Sequence, residues 1–172
     1  MKLNPTTEKF VLHWGEMGAQ WGVNRTVAQI HALLFIIGRP MHAEEIVDTL
    51  GVARSNVSNS IRELQSWKLV HTVHIMGDRR DHFATDTDVW VLFRTIVSER
   101  MRREIEPTDQ FLRSLMDTPE FQQESSDVQQ RIRQTQDFVG TLTSWVTEML
   151  KLSTGTLAKV LKLGASIQKL LR

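Results

Sequence analysis

Hydrophobic residues recur at helical spacing along most of the chain, and prolines and glycines separate the resulting segments. The first helix is predicted to start at Pro5, with Asn4 as its cap, and to end at Gly22. Its apolar residues predict one buried face, formed by Phe10, Trp14, Met17 and Trp21. The next segment, 26–37, is apolar at nearly every late position and stops at Gly38, which predicts a core helix.

Two further helices follow, separated by a tight break. The pattern predicts helices over 43–50 and 54–67, with Gly51 and Val52 between them. In the second of these, apolar residues at steps of four, three and three define a buried face of Val57, Ile61, Leu64 and Trp67. The opposite side carries short polar side chains and one arginine: Ser55, Ser58, Asn59, Arg62 and Ser66. This is the order of helix, turn and helix.

Residues 69–84 change to a strand-like pattern. β-branched and aromatic residues flank the sequence GDRRD, which predicts a two-stranded hairpin with Arg79 and Arg80 at its tip. Helical spacing returns at Asp86 and is interrupted at Pro107, where we expect a kink or a restart. The last long helix carries an apolar stripe at alternating steps of four and three, over 128–149, and such a stripe requires a partner helix.

Composition limits the function classes. The 172 residues are 41% hydrophobic and 24% charged, which suits one cored domain with an appendage or two very small domains. There is no cysteine, so disulfides, thiolate zinc sites and cysteine nucleophiles are excluded. The longest apolar run, 32–37, is far shorter than the roughly 20 residues that span a bilayer, and the N-terminus lacks a signal-peptide core. We therefore expect neither membrane insertion nor export.

Charge is distributed unevenly. Residues 1–86 carry nine basic and nine acidic side chains, 87–150 carry seven and eleven, and 151–172 carry five basic and no acidic ones. The last segment is predicted to form a basic amphipathic helix that docks on the acidic middle of the chain. Contact with an anionic membrane is the less favoured alternative for this helix.

The order helix, helix, turn, helix and basic hairpin is that of a winged helix-turn-helix. Short hydroxyl and amide side chains can enter a DNA groove, Arg62 can pair with a guanine edge, and Asn59 can pair with an adenine edge. Arg79 and Arg80 would meet phosphates or the neighbouring minor groove. These residues predict a double-stranded DNA partner.

Other observations oppose this hypothesis. Any solvated helix has a polar outer face, and the preceding helix is acidic at Glu44, Glu45 and Asp48. The balanced charge of residues 1–86 also keeps open a second function, a winged-helix scaffold that binds proteins without sequence-specific DNA binding.

The stretch from Met41 to Thr108 resembles the GbsR branch of the MarR-type transcriptional regulators. The resemblance lies in the LG turn with the RSNVS helix, the GDRRDHF wing and the REIEPT close of the next helix, and with the preceding helices it covers 10–115. It implies a cytoplasmic homodimer that binds inverted-repeat operator DNA, commonly as a repressor, with some relatives controlling choline and glycine betaine genes.

By position, the resemblance assigns DNA contacts to the helix residues Arg54, Ser55, Asn56, Ser58, Asn59 and Arg62 and to the wing residues Arg79 and Arg80. One departure is Ala53, which stands where such helices carry a capping Ser or Thr; loss of a cap costs about 1 kcal/mol. Ser55 is therefore expected either to contact DNA or to cap the helix one turn later.

An enzyme is not expected, because no phosphate-binding loop, GxSxG elbow or HExxH pair occurs. No metal or cofactor is expected either, since His71 and His74 fall on opposite sides of the predicted strand. The five tryptophans are compatible with an aromatic cage for a choline- or betaine-type effector, although core packing is the more ordinary role of such residues.

The sequence thus predicts a mainly α-helical protein with two regions. Residues 1–86 are expected to form a winged helix-turn-helix DNA-binding domain with a small β-hairpin wing. Residues 87–172 are expected to form long dimerisation helices and the basic amphipathic C-terminal helix.

Overall fold

The computed structural model describes residues 1–164 of the chain. It confirms the predicted fold class: a mainly helical chain in which a winged helix-turn-helix with a small β-sheet precedes long C-terminal helices. The chain divides into two compact units, one of residues Met1–Ile96 and one that begins at Val97. The functional boundary predicted between residues 86 and 87 stays a prediction.

The first unit begins with two helices that pack together, α1 (Pro5–Gln20) and α2 (Arg25–Ile37). The predicted cap of α1 is confirmed, because Asn4 Oδ1 accepts a hydrogen bond from the Thr7 backbone N–H at 2.9 Å. Helix α2 ends at Gly38, whose φ of +67° favours glycine.

The predicted buried face of α1 is wrong by one position. The buried residues are Val11, Gly15 and Gly18, whereas Trp21 is 66% exposed. The reason is the close approach of α2: a Cβ atom at Gly18 would lie only 2.5 Å from the Cβ atom of Ala28. The small residues of α1 therefore form its close contact with α2, and the half-buried Phe10 packs against the same core beside them.

The helix-turn-helix consists of α3 (Ala43–Leu50) and α4 (Arg54–Ser66), separated by Gly51 with a φ of +65°. The predicted buried face of α4 is confirmed at Val57, Ile61 and Leu64, while Trp67 lies half-buried just past the helix. These side chains join one core with residues of α2 and α3, among them Ile30, Leu33, Leu34 and Ile46.

The wing is an antiparallel sheet of β1 (Met41–His42), β2 (His71–Val73) and β3 (His82–Ala84) in the order β1-β3-β2. The hairpin of β2 and β3 was predicted, but β1 was not, because two residues are too few for a periodic pattern. Met41 pairs with Phe83 and His42 with His82, so β1 joins the start of α3 to the wing.

A long helical path follows. Helix α5 (Val89–Arg100) leads without a break into a π-helical turn (Met101–Ile105) and α6 (Glu106–Met116). We predicted a kink or a restart at Pro107; the structure has instead a π-helical turn just before it, and Pro107 lies in the first turn of α6. The path continues with α7 (Pro119–Gln123), α8 (Ser126–Lys151) and α9 (Thr154–Gly164).

Within the second unit, α6 packs against α8, where Gln136 Nε2 donates to Asp109 Oδ1 at 3.1 Å. The stripe predicted on α8 is mostly half-buried, while the neighbouring Phe138 and Trp145 are exposed. Part of the predicted basic C-terminal helix is α9, and its continuation over 165–172 lies outside the described residues. Of the helices within 1–164, none is long and apolar enough to cross a bilayer.

Candidate nucleic-acid interface

Helix α4 presents a continuous polar surface opposite its buried face. Its core side is fixed by Val57, Ile61 and Leu64, with the small Ser60 buried among them. All the helix residues that the sequence assigns to DNA contact are exposed: Arg54, Ser55, Asn56, Ser58, Asn59 and Arg62. Because the apolar side holds α4 against the core, this polar side is rigidly displayed.

The N-terminus of α4 lacks a side-chain cap, as predicted from Ala53. The helix begins at Arg54, so Ser55 lies within its first turn and not at a cap position. The alternative in which Ser55 caps the helix one turn later is therefore wrong, and its hydroxyl stays on the exposed side.

Two of the three acidic residues on α3 are paired with arginines. Arg54 Nη2 lies 2.8 Å from Glu44 Oε1, and Arg39 Nη1 donates to Glu45 Oε2 at 3.1 Å. A bond from its own backbone N–H, aided by the Arg54 charge, lowers the pKa of Glu44, and the hydrogen bond from Arg39 lowers the pKa of Glu45. Neighbouring guanidinium groups thus neutralise most of the carboxylate charge of α3. The argument that an acidic α3 would repel DNA is therefore weaker.

The two side chains best suited to base recognition contact each other. Arg62 Nη2 donates a hydrogen bond to Asn59 Oδ1, one turn earlier on the same helix face. The remaining N–H groups of Arg62 and the amide NH₂ of Asn59 stay available, since a guanidinium has five donors and an amide two. This pair can therefore exchange its mutual bond for bonds to adjacent base edges.

The wing loop, residues 74–81, turns tightly at its apex. The Asp78 backbone N–H donates to the Ile75 carbonyl at 3.0 Å, and Gly77, the third residue of this turn, has a φ of +85°. Arg79 follows on the exposed side, and within residues 1–164 its guanidinium has no ion-pair partner.

Arg80 is engaged inside the wing. Its Nε donates to Asp78 Oδ1 at 2.9 Å, and its Nη1 lies 3.0 Å from His42 Nε2 on β1. Side-chain and backbone hydrogen bonds from Arg80 hold the pKa of Asp78 well below its usual range, and the Asp78 carboxylate raises the pKa of Arg80. The Arg80 side chain therefore ties the wing loop to β1, and its charge is compensated locally.

The first unit also contains a cavity of about 200 Å³ between α1, α2 and the first residues of α5. Its walls are almost wholly apolar and include the aromatic rings of Phe10, Trp14, Phe35 and Phe93. The rings of Phe10 and Trp14 are stacked with their centroids 5.4 Å apart. The volume lies below the roughly 300 to 1,000 Å³ of typical ligand pockets, so only a small ligand would fit.

His31 supplies the polar group of the cavity wall. Its Nε2 lies 3.2 Å from the Thr85 hydroxyl, which donates its own proton to the Leu69 carbonyl at 2.7 Å. Because that proton is already used, His31 Nε2 must be the donor in the first bond. Burial lowers the pKa of His31 to about 4, so its imidazole is neutral at pH 7.

Sequence reasoning did not find this cavity or the His31–Thr85 bond. The bond joins residues far apart in the chain, and no local pattern reports such a pair. The one available signal was a histidine inside the apolar helix 26–37, where a polar side chain needs a partner. Among residues 1–164, no three His, Asp or Glu side chains are placed to hold a metal ion.

Residues 21–81 match the sequence model of the MarR family. The chain is similar in structure to a protein described as a transcriptional regulator, with a TM-score of 0.71 and 18% identity, over 85% of this chain and 96% of that one. This similarity shows the fold alone. No curated protein sequence matches the chain.

Two more distant structures also align. One is ZitR from Lactococcus lactis, with a TM-score of 0.36 and 16% identity, over 70% of this chain and 73% of that one. The other is a mutant of MepR from S. aureus bound to an oligodeoxyribonucleotide, with a TM-score of 0.40 and 15% identity, over 81% of this chain and 92% of that one.

Proposed function

We propose that the chain is a DNA-binding transcriptional regulator of the MarR type, and that its target is double-stranded DNA. The observation that carries this proposal is the exposed polar side of α4, in the same domain as a wing whose Arg79 has no ion-pair partner within residues 1–164. The match of residues 21–81 to the MarR family supports it, because that range contains the helix-turn-helix and most of the wing.

Within this function, α4 is the recognition helix. Arg62 pairs with a guanine edge and Asn59 with an adenine edge in the major groove. The remaining contacts of α4 come from four residues near its N-terminus: Arg54, Ser55, Asn56 and Ser58. On the wing, Arg79 and Arg80 are the proposed contacts to the DNA backbone; both are exposed, and Arg79 has the charge available for a phosphate.

The regulator acts as a cytoplasmic homodimer and represses its target genes, as in the GbsR branch that the sequence resembles. Two-fold symmetry then places two α4 helices in successive major grooves, about 34 Å apart, on an inverted repeat. Exposed Phe138 and Trp145 on α8 are the apolar side chains that a second copy would cover.

The cavity in the first unit is the proposed effector site, and a choline- or betaine-type quaternary ammonium compound is the proposed ligand. Aromatic faces attract such cations, and neutral His31 does not repel them. The hydrogen bond from His31 to Thr85 connects the cavity wall with the residue that follows β3 of the wing. Through this bond, a ligand in the cavity can influence the DNA-binding surface. Calorimetric titration with choline, repeated with Trp14→Leu, tests this site.

A mobility shift tests DNA binding. The wild-type chain is titrated against the DNA upstream of its own gene and against a random duplex, at two salt concentrations. Loss of one base-edge pair costs about 1 to 3 kcal/mol, so Arg62→Ala and Asn59→Ala should remove the preference for the upstream DNA. Gln20→Ala, an exposed and uncharged position on α1, is the control.

Equal effects of these variants on both duplexes would contradict the assignment of α4 as the recognition helix. A wild-type chain that binds neither duplex would instead favour the winged-helix scaffold that binds proteins.

A further inference from the structure

The tip of the wing carries a large apolar side chain in full contact with solvent. Met76 is 102% exposed, the highest value among the large hydrophobic residues of 1–164, and the preceding Ile75 is 43% exposed. Single exposed apolar residues are common on proteins, so exposure alone assigns no role. The position of Met76 relative to the candidate DNA-binding groups carries the argument.

The turn fixes Met76 at the apex of the loop. It is the second residue of the turn closed by the bond from Asp78 N–H to the Ile75 carbonyl, and it precedes Gly77 with its positive φ. Two residues past the turn, Arg80 bonds Asp78 and His42, which ties the loop to β1. The Met76 side chain is therefore held outward on an ordered support.

The apex carries one cation, Arg79, close in the chain to the apolar Met76 side chain. Asp78 is neutralised by Arg80, and Asp81 Oδ1 lies 3.8 Å from His74 Nδ1. His74 and Asp81 are both exposed, and the Arg79 guanidinium and the Met76 side chain also face solvent beside them. The minor groove of DNA has phosphates at its rims and base-pair edges at its floor, and an apolar side chain can enter there between two stacked base pairs. A cation near an apolar side chain suits such a site.

We infer that Met76 inserts as an apolar wedge into the minor groove beside the recognition site and partly unstacks one base step. This inference rests on the proposed DNA-binding function. Methionine suits the role because its unbranched thioether side chain adapts to an irregular gap. Flexible pyrimidine–purine steps unstack most readily, so Met76 adds a preference for such a step without any hydrogen bond to a base.

The test uses the full-length chain and a duplex recovered from a random-sequence pool by the wild type. Single adenines of the flanking minor groove are replaced in turn by 2-aminopurine, whose fluorescence rises when the base loses its stacking. We expect an increase at one step in each half-site. Met76→Ala should abolish that increase and weaken binding about tenfold, or about 1.4 kcal/mol, with the salt dependence of binding unchanged.

Met76→Leu is the matched control, because it keeps an apolar side chain of similar length and should keep most of the fluorescence change. Substitution of a fully exposed residue leaves the fold intact, and circular dichroism verifies this. A wild type that binds the duplex without any fluorescence increase overturns the wedge alone, as does a Met76→Ala variant that behaves like the wild type. A wild type that recovers no duplex from the pool overturns both the wedge and the proposed function.

Discussion

The Nε2 atom of His31 lies 3.2 Å from the hydroxyl oxygen of Thr85, and this hydrogen bond joins the core helix α2 to the foot of the wing. Thr85 follows β3 directly and donates to the carbonyl of Leu69, two residues before β2. One hydroxyl group therefore ties together the two strands of the hairpin, and a neutral imidazole orients that hydroxyl. The protonation of His31 should thus affect the stability of the first unit.

The free energy of unfolding should fall as the pH is lowered through the range set by His31. Its pKa is about 4 in the folded chain, against an ordinary value of 6.5, so the unfolded chain binds the proton more readily between these values. The contribution of neutral His31 to the free energy of unfolding is fully present above pH 6.5 and is lost progressively towards pH 4. From pH 7 to pH 5 the loss attributable to His31 should be about 2 kcal/mol.

Urea denaturation at both pH values measures this loss, and His31→Gln is the matched control. Glutamine has an amide N–H that can reach the Thr85 hydroxyl but does not titrate. The variant should therefore lose about 2 kcal/mol less than the wild type over the same pH interval. Identical pH profiles of the two proteins would exclude His31 as the group responsible.

Gly18→Ala should destabilise the first unit by about 1 to 3 kcal/mol, because the new methyl group would overlap the Ala28 side chain across the α1–α2 contact. Alanine is otherwise the better helix former by about 1 kcal/mol. Gly155 in α9 supplies the control, since a Cβ atom there meets nothing within 4 Å and Gly155→Ala should not destabilise. Thermal unfolding followed by circular dichroism separates the two variants, and equal melting temperatures would contradict the close approach of α1 and α2.

The two wing arginines should differ in their effect on DNA binding. Arg79→Gln should reduce the slope of log affinity against log salt by about one unit for every duplex, because one phosphate contact is lost. Arg80→Gln should change that slope less, since the Asp78 carboxylate already compensates the Arg80 charge. Titrations at several salt concentrations measure both slopes. A larger change for Arg80→Gln than for Arg79→Gln would show that the Asp78–Arg80 pair opens on DNA.

Much of this architecture follows from local rules. The bounds of α3, the cap of α1 and the buried face of α4 depend on helical period, Asn4 and the αL glycines, all of which can be seen in the sequence. The buried face of α1 could not be predicted by hydrophobicity, because its contact with α2 depends on small residues and close approach. Strand β1 and the hydrogen bond of Arg80 to His42 depend on tertiary pairing over long separations, which leaves no periodic signal.

The last prediction concerns the homodimer. Phe138 and Trp145 lie seven residues apart on one side of α8 and are 68% and 57% exposed. Truncation of an aromatic side chain at the centre of an interface costs the complex about 2 to 4 kcal/mol of binding energy. The double variant Phe138→Ser and Trp145→Ser should therefore weaken dimerisation by at least thirtyfold, or about 2 kcal/mol.

Light scattering at micromolar concentration should give the mass of two chains for the wild type and of one chain for the double variant. The control is Gln130→Ala, an exposed uncharged position earlier on α8, which should remain a dimer. Because both aromatic side chains are exposed in the single chain, the helical circular dichroism signal should not change. A double variant that keeps the mass of two chains would show that the dimer contact lies elsewhere. A wild type with the mass of one chain would contradict the proposal that a symmetric homodimer binds an inverted repeat.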